Sequence, residues 1–163
     1  MTGVTVQYHR NYHIAGETLS IRQDRLSVAA FGEFLGRSDL GNSFPRDDFE
    51  RRAGDLVQNA QISLVARDKN SRIVGVCLGL TDFSYRLLVT DIGIDRAYVR
   101  SGLGKELVRV ALDLSGGETR IALFARATDV SRPFFDRIGM SPSSQMMERF
   151  PSPDKPFISG KGD

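Results

Sequence analysis

Seventeen consecutive residues hold most of the chemical information in this chain: Asp91-Ile92-Gly93-Ile94-Asp95-Arg96-Ala97-Tyr98-Val99-Arg100-Ser101-Gly102-Leu103-Gly104-Lys105-Glu106-Leu107. An apolar run enters a short turn, and the turn enters a helical pattern. The first amides of a helix have no intrahelical acceptor, and the helix dipole is positive at that end. Gly102 and Gly104 lack a Cβ, so an anion can approach the main chain, and Arg100 and Lys105 add positive charge. The chemistry implied is main-chain binding of a phosphate or diphosphate. The segment is not a P-loop, because G-x-x-x-x-G-K-[ST] is absent. Nor is it a dinucleotide fingerprint, which needs a third glycine and an acidic residue about 20 positions on.

The elements that must position this turn are readable from periodicity. Residues 102–115 form an amphipathic helix with Leu103, Leu107, Val110, Ala111 and Leu114 on one face and Lys105, Glu106, Arg109 and Asp113 opposite. Before it, Gln61–Arg67 and Arg72–Leu80 read as a hairpin across Asp68-Lys69-Asn70-Ser71, and Tyr85–Ile94 as the next strand. After it come a strand over Arg120–Arg126 and a short helix over Asp129–Ile138 that stops at Gly139. Met146–Phe150 is the expected last strand, and its apolar Met146-Met147 is compatible with a homodimer. The first sixty residues predict a strand near His13–Ile21, a helix carrying Leu26, Phe31, Phe34 and Leu35, a loop over Gly36–Pro45 and a helix over Arg46–Val57. The order β-α-α-β-β-β-α-β-α-β predicts an α/β fold, a mixed sheet with helices on its faces.

A length of 163 residues suits one domain, expected over residues 1–150, and 40% hydrophobic residues can fill a core. From Pro151 to Asp163 the prolines and glycines predict an extended or disordered tail. Twenty-two basic against twenty acidic side chains give a net charge of +2, with no basic block to support nucleic-acid binding. No apolar stretch is long enough to suggest a membrane span. The first ten residues lack the apolar core of a secretory signal, so the expected compartment is cytoplasmic. The single cysteine, Cys77, excludes an internal disulfide, and its apolar neighbours make it a core residue rather than a nucleophile.

The turn acquires a more specific meaning from a second motif downstream. Ile92-Gly93-Ile94 followed by Val99-Arg100-Ser101-Gly102-Leu103-Gly104 resembles the phosphate loop Q/R-x-x-G-x-G/A of the GNAT superfamily of acetyl-CoA-dependent N-acetyltransferases. Thr128-Asp129-Val130-Ser131-Arg132-Pro133-Phe134-Phe135-Asp136-Arg137-Ile138-Gly139-Met140 is similar to that family's N-x-x-A-x-x-[FL]-Y-x-x-x-G-F helix. The resemblance covers residues 60–141 well and the N-terminal part only in the order of its elements. It implies a GNAT-like fold with a central, splayed sheet. Acetyl-CoA would enter as co-substrate between the strand ending at Ile94 and the strand over Arg120–Arg126.

The same resemblance implies the site. The main chain around Ile92, Gly93 and Ile94 would pair with the pantetheine arm, and an amide there would polarise the thioester carbonyl. Val99, Arg100, Ser101, Gly102, Leu103, Gly104 and Lys105 would cradle the diphosphate, with Thr128, Ser131 and Phe135 lining the outgoing cofactor. Val99 departs from the usual Gln/Arg, Thr128 from Asn and Met140 from Phe. Phe135 stands where many members place a tyrosine that protonates the departing thiolate, so no general acid is available at that position. Asp91, just before Ile92, is the expected base; it also reads as an ordinary polar strand residue. Tyr85 is the second catalytic candidate and Thr90 a third, whereas His9 and His13 are lone histidines with no assigned place.

The implied reaction is acetyl transfer to a primary amine by direct attack in a ternary complex, with no acyl-enzyme and no metal. The alternative is a catalytically weak or inactive acyl-CoA-binding sensor. The acceptor would be a small-molecule or peptide amine, met by residues 34–46 and 82–86, where Arg37, Asp39, Phe44, Phe83, Tyr85 and Arg86 give a mixed lining.

Overall fold

A computed structural model describes residues 9–44 and 46–151. The chain divides after Arg126 into two compact units. The first is a six-stranded sheet in the order β1-β2-β3-β4-β5-β6. Its strands are β1 (His9–Ile14), β2 (Glu17–Gln23), β3 (Ile62–Arg67), β4 (Ile73–Thr81), β5 (Arg86–Ile94) and β6 (Ala122–Ala125). The first five pair antiparallel, and β6 joins β5 in parallel. β3 and β4 are buried along nearly their whole length, which is why they read as unbroken apolar runs.

Helices cover both faces. α1 (Val28–Leu35) starts at Ser27, whose hydroxyl accepts the Ala30 amide at 3.1 Å. With α2 (Phe49–Asn59) it buries Phe31, Phe34, Leu35, Ala53 and Val57 against Val65, Val76 and Leu78 of the sheet. α3 (Leu103–Ser115) packs on the opposite face, where Gly75 leaves room. A Cβ on Gly75 would stand 3.1 Å from Leu107 Cδ1 and 3.2 Å from Leu103 Cδ2.

Several expected boundaries move, each for a physical reason. The single strand expected over His13–Ile21 is a hairpin, cut by a two-residue turn at Ala15 (φ 46°) and Gly16 (φ 79°). Positive φ at both positions matches the twist of the flanking strands, but an alanine there announces no turn. Within the expected loop over 36–45, Asp39–Ser43 form a short 3-10 turn. α2 begins later than Arg46 because Asp48 adopts a left-handed conformation at its N-cap. β6 is shorter than Arg120–Arg126. The strand expected over Met146–Phe150 is not formed, and residues 146–151 have no regular structure, so that argument for a dimer loses its basis. The expected tail lies outside the described residues, apart from Pro151.

The second unit contains α4 (Arg132–Arg137). Gly139 (φ 91°) ends it: its amide donates to Asp136 O at 3.1 Å, and the Met140 amide to Phe135 O at 3.0 Å.

Candidate active site

The sheet opens along one side of β5. β6 pairs with Arg86–Val89 only, so among the described residues no strand lies beside Thr90–Ile94 on that side. Just past Ile94 the edge closes again, where Ser38 bridges Asp95 and the Arg96 amide donates to Arg37 O at 3.0 Å. The direction of each main-chain group follows from alternation. Asp95 donates its amide to Val74 O on β4 at 2.9 Å, and Gly93 and Asp91 lie opposite Val76 and Leu78. In an antiparallel ladder, pairs that exchange hydrogen bonds alternate with pairs that do not. The amides and carbonyls of Ile92 and Ile94 therefore point away from β4, into the gap. Gly93 turns its main chain to β4, and its missing Cβ serves packing: one there would meet Leu40 Cβ at 3.0 Å and Phe34 Cε1 at 3.2 Å.

Beyond Ile94 the chain passes through a short 3-10 turn, Arg96–Tyr98, to the start of α3. Gly102 caps that helix with φ 84° and ψ −2°, and no side chain caps it. The Leu103 amide reaches Ser101 Oγ at 3.3 Å, and the first intrahelical bond runs from Glu106 N to Gly102 O at 3.1 Å. Among the described residues, the amides of Gly102, Gly104 and Lys105 find no protein acceptor. Arg100, Lys105 and Val99 are exposed beside them, and Leu103 is buried. Free amides beside two cations, at the end of an open strand edge, can hold a diphosphate whose attached arm runs along β5.

The walls of this turn come from distant sequence. Asp95 is buried and accepts the Ala97 amide at 2.9 Å while pairing with Arg37 and, at 3.5 Å, with Arg72. Tyr98 donates its hydroxyl to Glu17 at 2.8 Å, a bond that pushes its own ionisation up to about 12. Tyr12, a contact not foreseen from the sequence, donates its hydroxyl to Ser101 O at 3.3 Å.

Asp91 occupies the face of the sheet that carries α1 and α2, since its partner Leu78 belongs to that core. Burial pushes its carboxyl above the ordinary range, partly offset by the adjacent Thr90 side chain. Thr90 is the extra residue in the β4–β5 register, and its hydroxyl donates to Leu78 O at 3.3 Å. Tyr85 is not brought to this place. It is exposed at the beginning of β5, and the paired stretch Arg86–Val89 separates it from the open edge by roughly 16 Å at strand spacing. The neighbouring Asp82 accepts the amides of Tyr85, Arg86 and Ser84, which hold its carboxyl well below the usual range. His13 bonds Thr18 on the exposed hairpin, and the His9 side chain lies outside the described set. Cys77 is fully buried on the α3 side; burial, with the nearby charge of Asp91, pushes its thiol up to about 12.

On the α1–α2 face a cavity of about 490 Å³ lies between α1, the 3-10 turn and the start of α2, lined by Gly32, Leu35, Phe44, Phe49 and Arg96 among others. Its lining overlaps the first of the two stretches expected to meet the acceptor, from Leu35 to Arg46, and takes no residue from the second, 82–86. Arg37 does not join that lining, because Glu33, Asp95 and the Ile73 carbonyl hold its guanidinium.

In the second unit, Thr128 and Ser131 cap each other at the start of α4. The Thr128 amide donates to Ser131 Oγ at 2.9 Å and the Ser131 amide to Thr128 Oγ1 at 3.3 Å. Phe135 is buried, edge-on to Phe134. Its ring has no proton to give.

Comparison with known proteins bears on the family and the fold. The family model described as Acetyltransferase (GNAT) family matches residues 29–140. No curated protein matches the chain. Among solved structures, the aminoglycoside N-acetyltransferase AAC(6')-Iy in complex with CoA is similar with a TM-score of 0.60 and 13% identity, covering 86% of this chain and 99% of that one. The aminoglycoside antibiotic 6'-N-acetyltransferase AAC(6')-Ih of Acinetobacter baumannii gives 0.60 and 13%, covering 82% and 98%. A GNAT-family acetyltransferase of Streptococcus pneumoniae gives 0.57 and 16%, covering 82% and 99%. At these identities the likeness concerns the fold. The family match spans well over half of the chain, and the protein belongs to the GNAT family of acetyltransferases.

Proposed function

We propose that the protein transfers the acetyl group of acetyl-CoA to a primary amine by direct attack within a ternary complex. The observation that supports this most is a pair of main-chain surfaces without protein partners, close together in sequence. The outward groups of Ile92 and Ile94 lie on the stretch of β5 that β6 leaves open, and within the next eleven residues of the chain come the partnerless amides of Gly102, Gly104 and Lys105. One fits an amide-bearing arm and the other a diphosphate.

The residues divide the work. An outward amide on β5 faces the thioester carbonyl and stabilises the charge that develops on its oxygen. Asp91, on the opposite face from α3, takes the proton that the attacking amine must lose, directly or through water. That task is the larger one energetically: a lysine-like amine of pKa about 10.4 costs roughly 4.6 kcal/mol to hold neutral at pH 7. A thiol of pKa about 8.5 leaves tolerably as its anion, so the loss of an acid at Phe135 is bearable. The acceptor reaches the carbonyl from the α1–α2 face, where the cavity opens.

Calorimetric titration with acetyl-CoA, followed by free-thiol release over a panel of polyamines, arylalkylamines, aminoglycosides and peptides, tests this reading. Turnover with an amine supports it. Phe135 is the observation that favours the rival, an acyl-CoA-binding sensor, and tight binding without thiol release across the panel would assign that role. Absence of acetyl-CoA binding would end both.

A further inference from the structure

Alternate residues of β1 turn toward α3, and two of them meet the start of that helix. Arg10 Nε lies 3.0 Å from Glu106 Oε1, and the buried Glu106 is also held by Arg109 at 2.6 Å. Tyr12 donates to the carbonyl of Ser101 at 3.3 Å, and Glu17 on β2 accepts from Tyr98. The N-terminal hairpin thus grips the turn at two points before its glycines and at one after them.

The middle contact has a directional consequence. In a trans peptide the C=O of one residue and the N–H of the next point opposite ways in one plane. Fixing Ser101 O on Tyr12 therefore fixes the Gly102 N–H on the side away from Tyr12. Gly102 needs such a constraint, because its left-handed φ of 84° lies in a region where glycine moves freely. Tyr12 also closes the near side: a Cβ on Gly102 would stand 2.8 Å from its hydroxyl.

We propose that Tyr12 is a positioning residue for diphosphate binding: through the Ser101 carbonyl it aims the Gly102 amide at the anion. This rests on the reading that the turn holds acyl-CoA. Tyr12→Phe keeps the ring and removes the hydroxyl. Calorimetry should show acetyl-CoA binding weakened about three- to tenfold, the range for one hydrogen bond. Affinity for S-acetylpantetheine, which has the thioester arm and no diphosphate, should be unchanged in an NMR titration. The Gly102 amide signal of the ligand-free variant should shift. Unchanged acetyl-CoA affinity, or equal weakening for both ligands, overturns the proposal while leaving the transferase reading intact. A wild-type chain that binds no acetyl-CoA removes both.

Discussion

Asp91 lies opposite Leu78 in the β4–β5 ladder, although Val89, only two residues earlier, lies opposite Gly79. The offset is Thr90, an extra residue that reverses the faces of everything after it. Without it, Asp91 would share the α3 face with Val89. With it, the carboxylate stands on the α1–α2 face while the outward amides of Ile92 and Ile94 border the gap.

Asp91→Asn tests the base. Acetyl transfer should fall by 100-fold or more, and the acidic limb of the wild-type pH–rate profile, set by a carboxyl above its usual range, should vanish. Stability should move the other way. A carboxyl whose folded pKa is raised favours folding below its unfolded pKa of about 3.9 and loses that contribution as pH rises through the folded value. The Asn variant should therefore match or exceed wild type in Tm at pH 7, with less advantage in acid. An unchanged pH–rate profile would remove Asp91 from the mechanism.

Gly102→Glu should abolish acetyl-CoA binding. The substitution forces a side chain into a left-handed position against Tyr12 and puts negative charge at the helix start. Equilibrium binding read beside circular dichroism separates lost affinity from lost fold. Normal cofactor affinity in a folded variant would overturn the cradle.

Arg100→Gly should have opposed effects. Arg100 is a non-glycine residue at φ 60°, a conformation that costs about 1 kcal/mol and that glycine adopts readily. Thermal denaturation should show a higher Tm, whereas acetyl-CoA should bind more weakly, most clearly at low salt, because a cation beside the phosphates is gone. Loss of affinity that is independent of salt would argue against a charge role.

Gly93→Ala should destabilise by about 1–3 kcal/mol, because its methyl would press on Leu40 and Phe34. Chemical denaturation measures this. A neutral result would mean that the 3-10 turn yields easily.

Cys77 should resist maleimide at pH 8 in the native protein and react fully once the chain is unfolded, since burial keeps both reagent and charge away from the thiol. Native-state labelling, followed by mass spectrometry, would contradict the buried placement.

The sequence alone determined what depends on neighbours along the chain. α3 declared itself through three- and four-residue spacing, β3 and β4 through unbroken apolar runs, and the turn proposed to hold the diphosphate through Gly102 and Gly104 where strand meets helix. Only the tertiary structure decided the features that rest on pairing between distant segments. The bulge at Thr90 shows only against the register of β4, and the open edge only where β6 stops. The support from Tyr12 appears when a hairpin with an inconspicuous Ala15-Gly16 turn closes across 89 residues to Ser101. Periodicity reports which way a side chain faces within its own element; it holds no information about which partner strand shifts the register or ends early. That information arises when the sheet assembles.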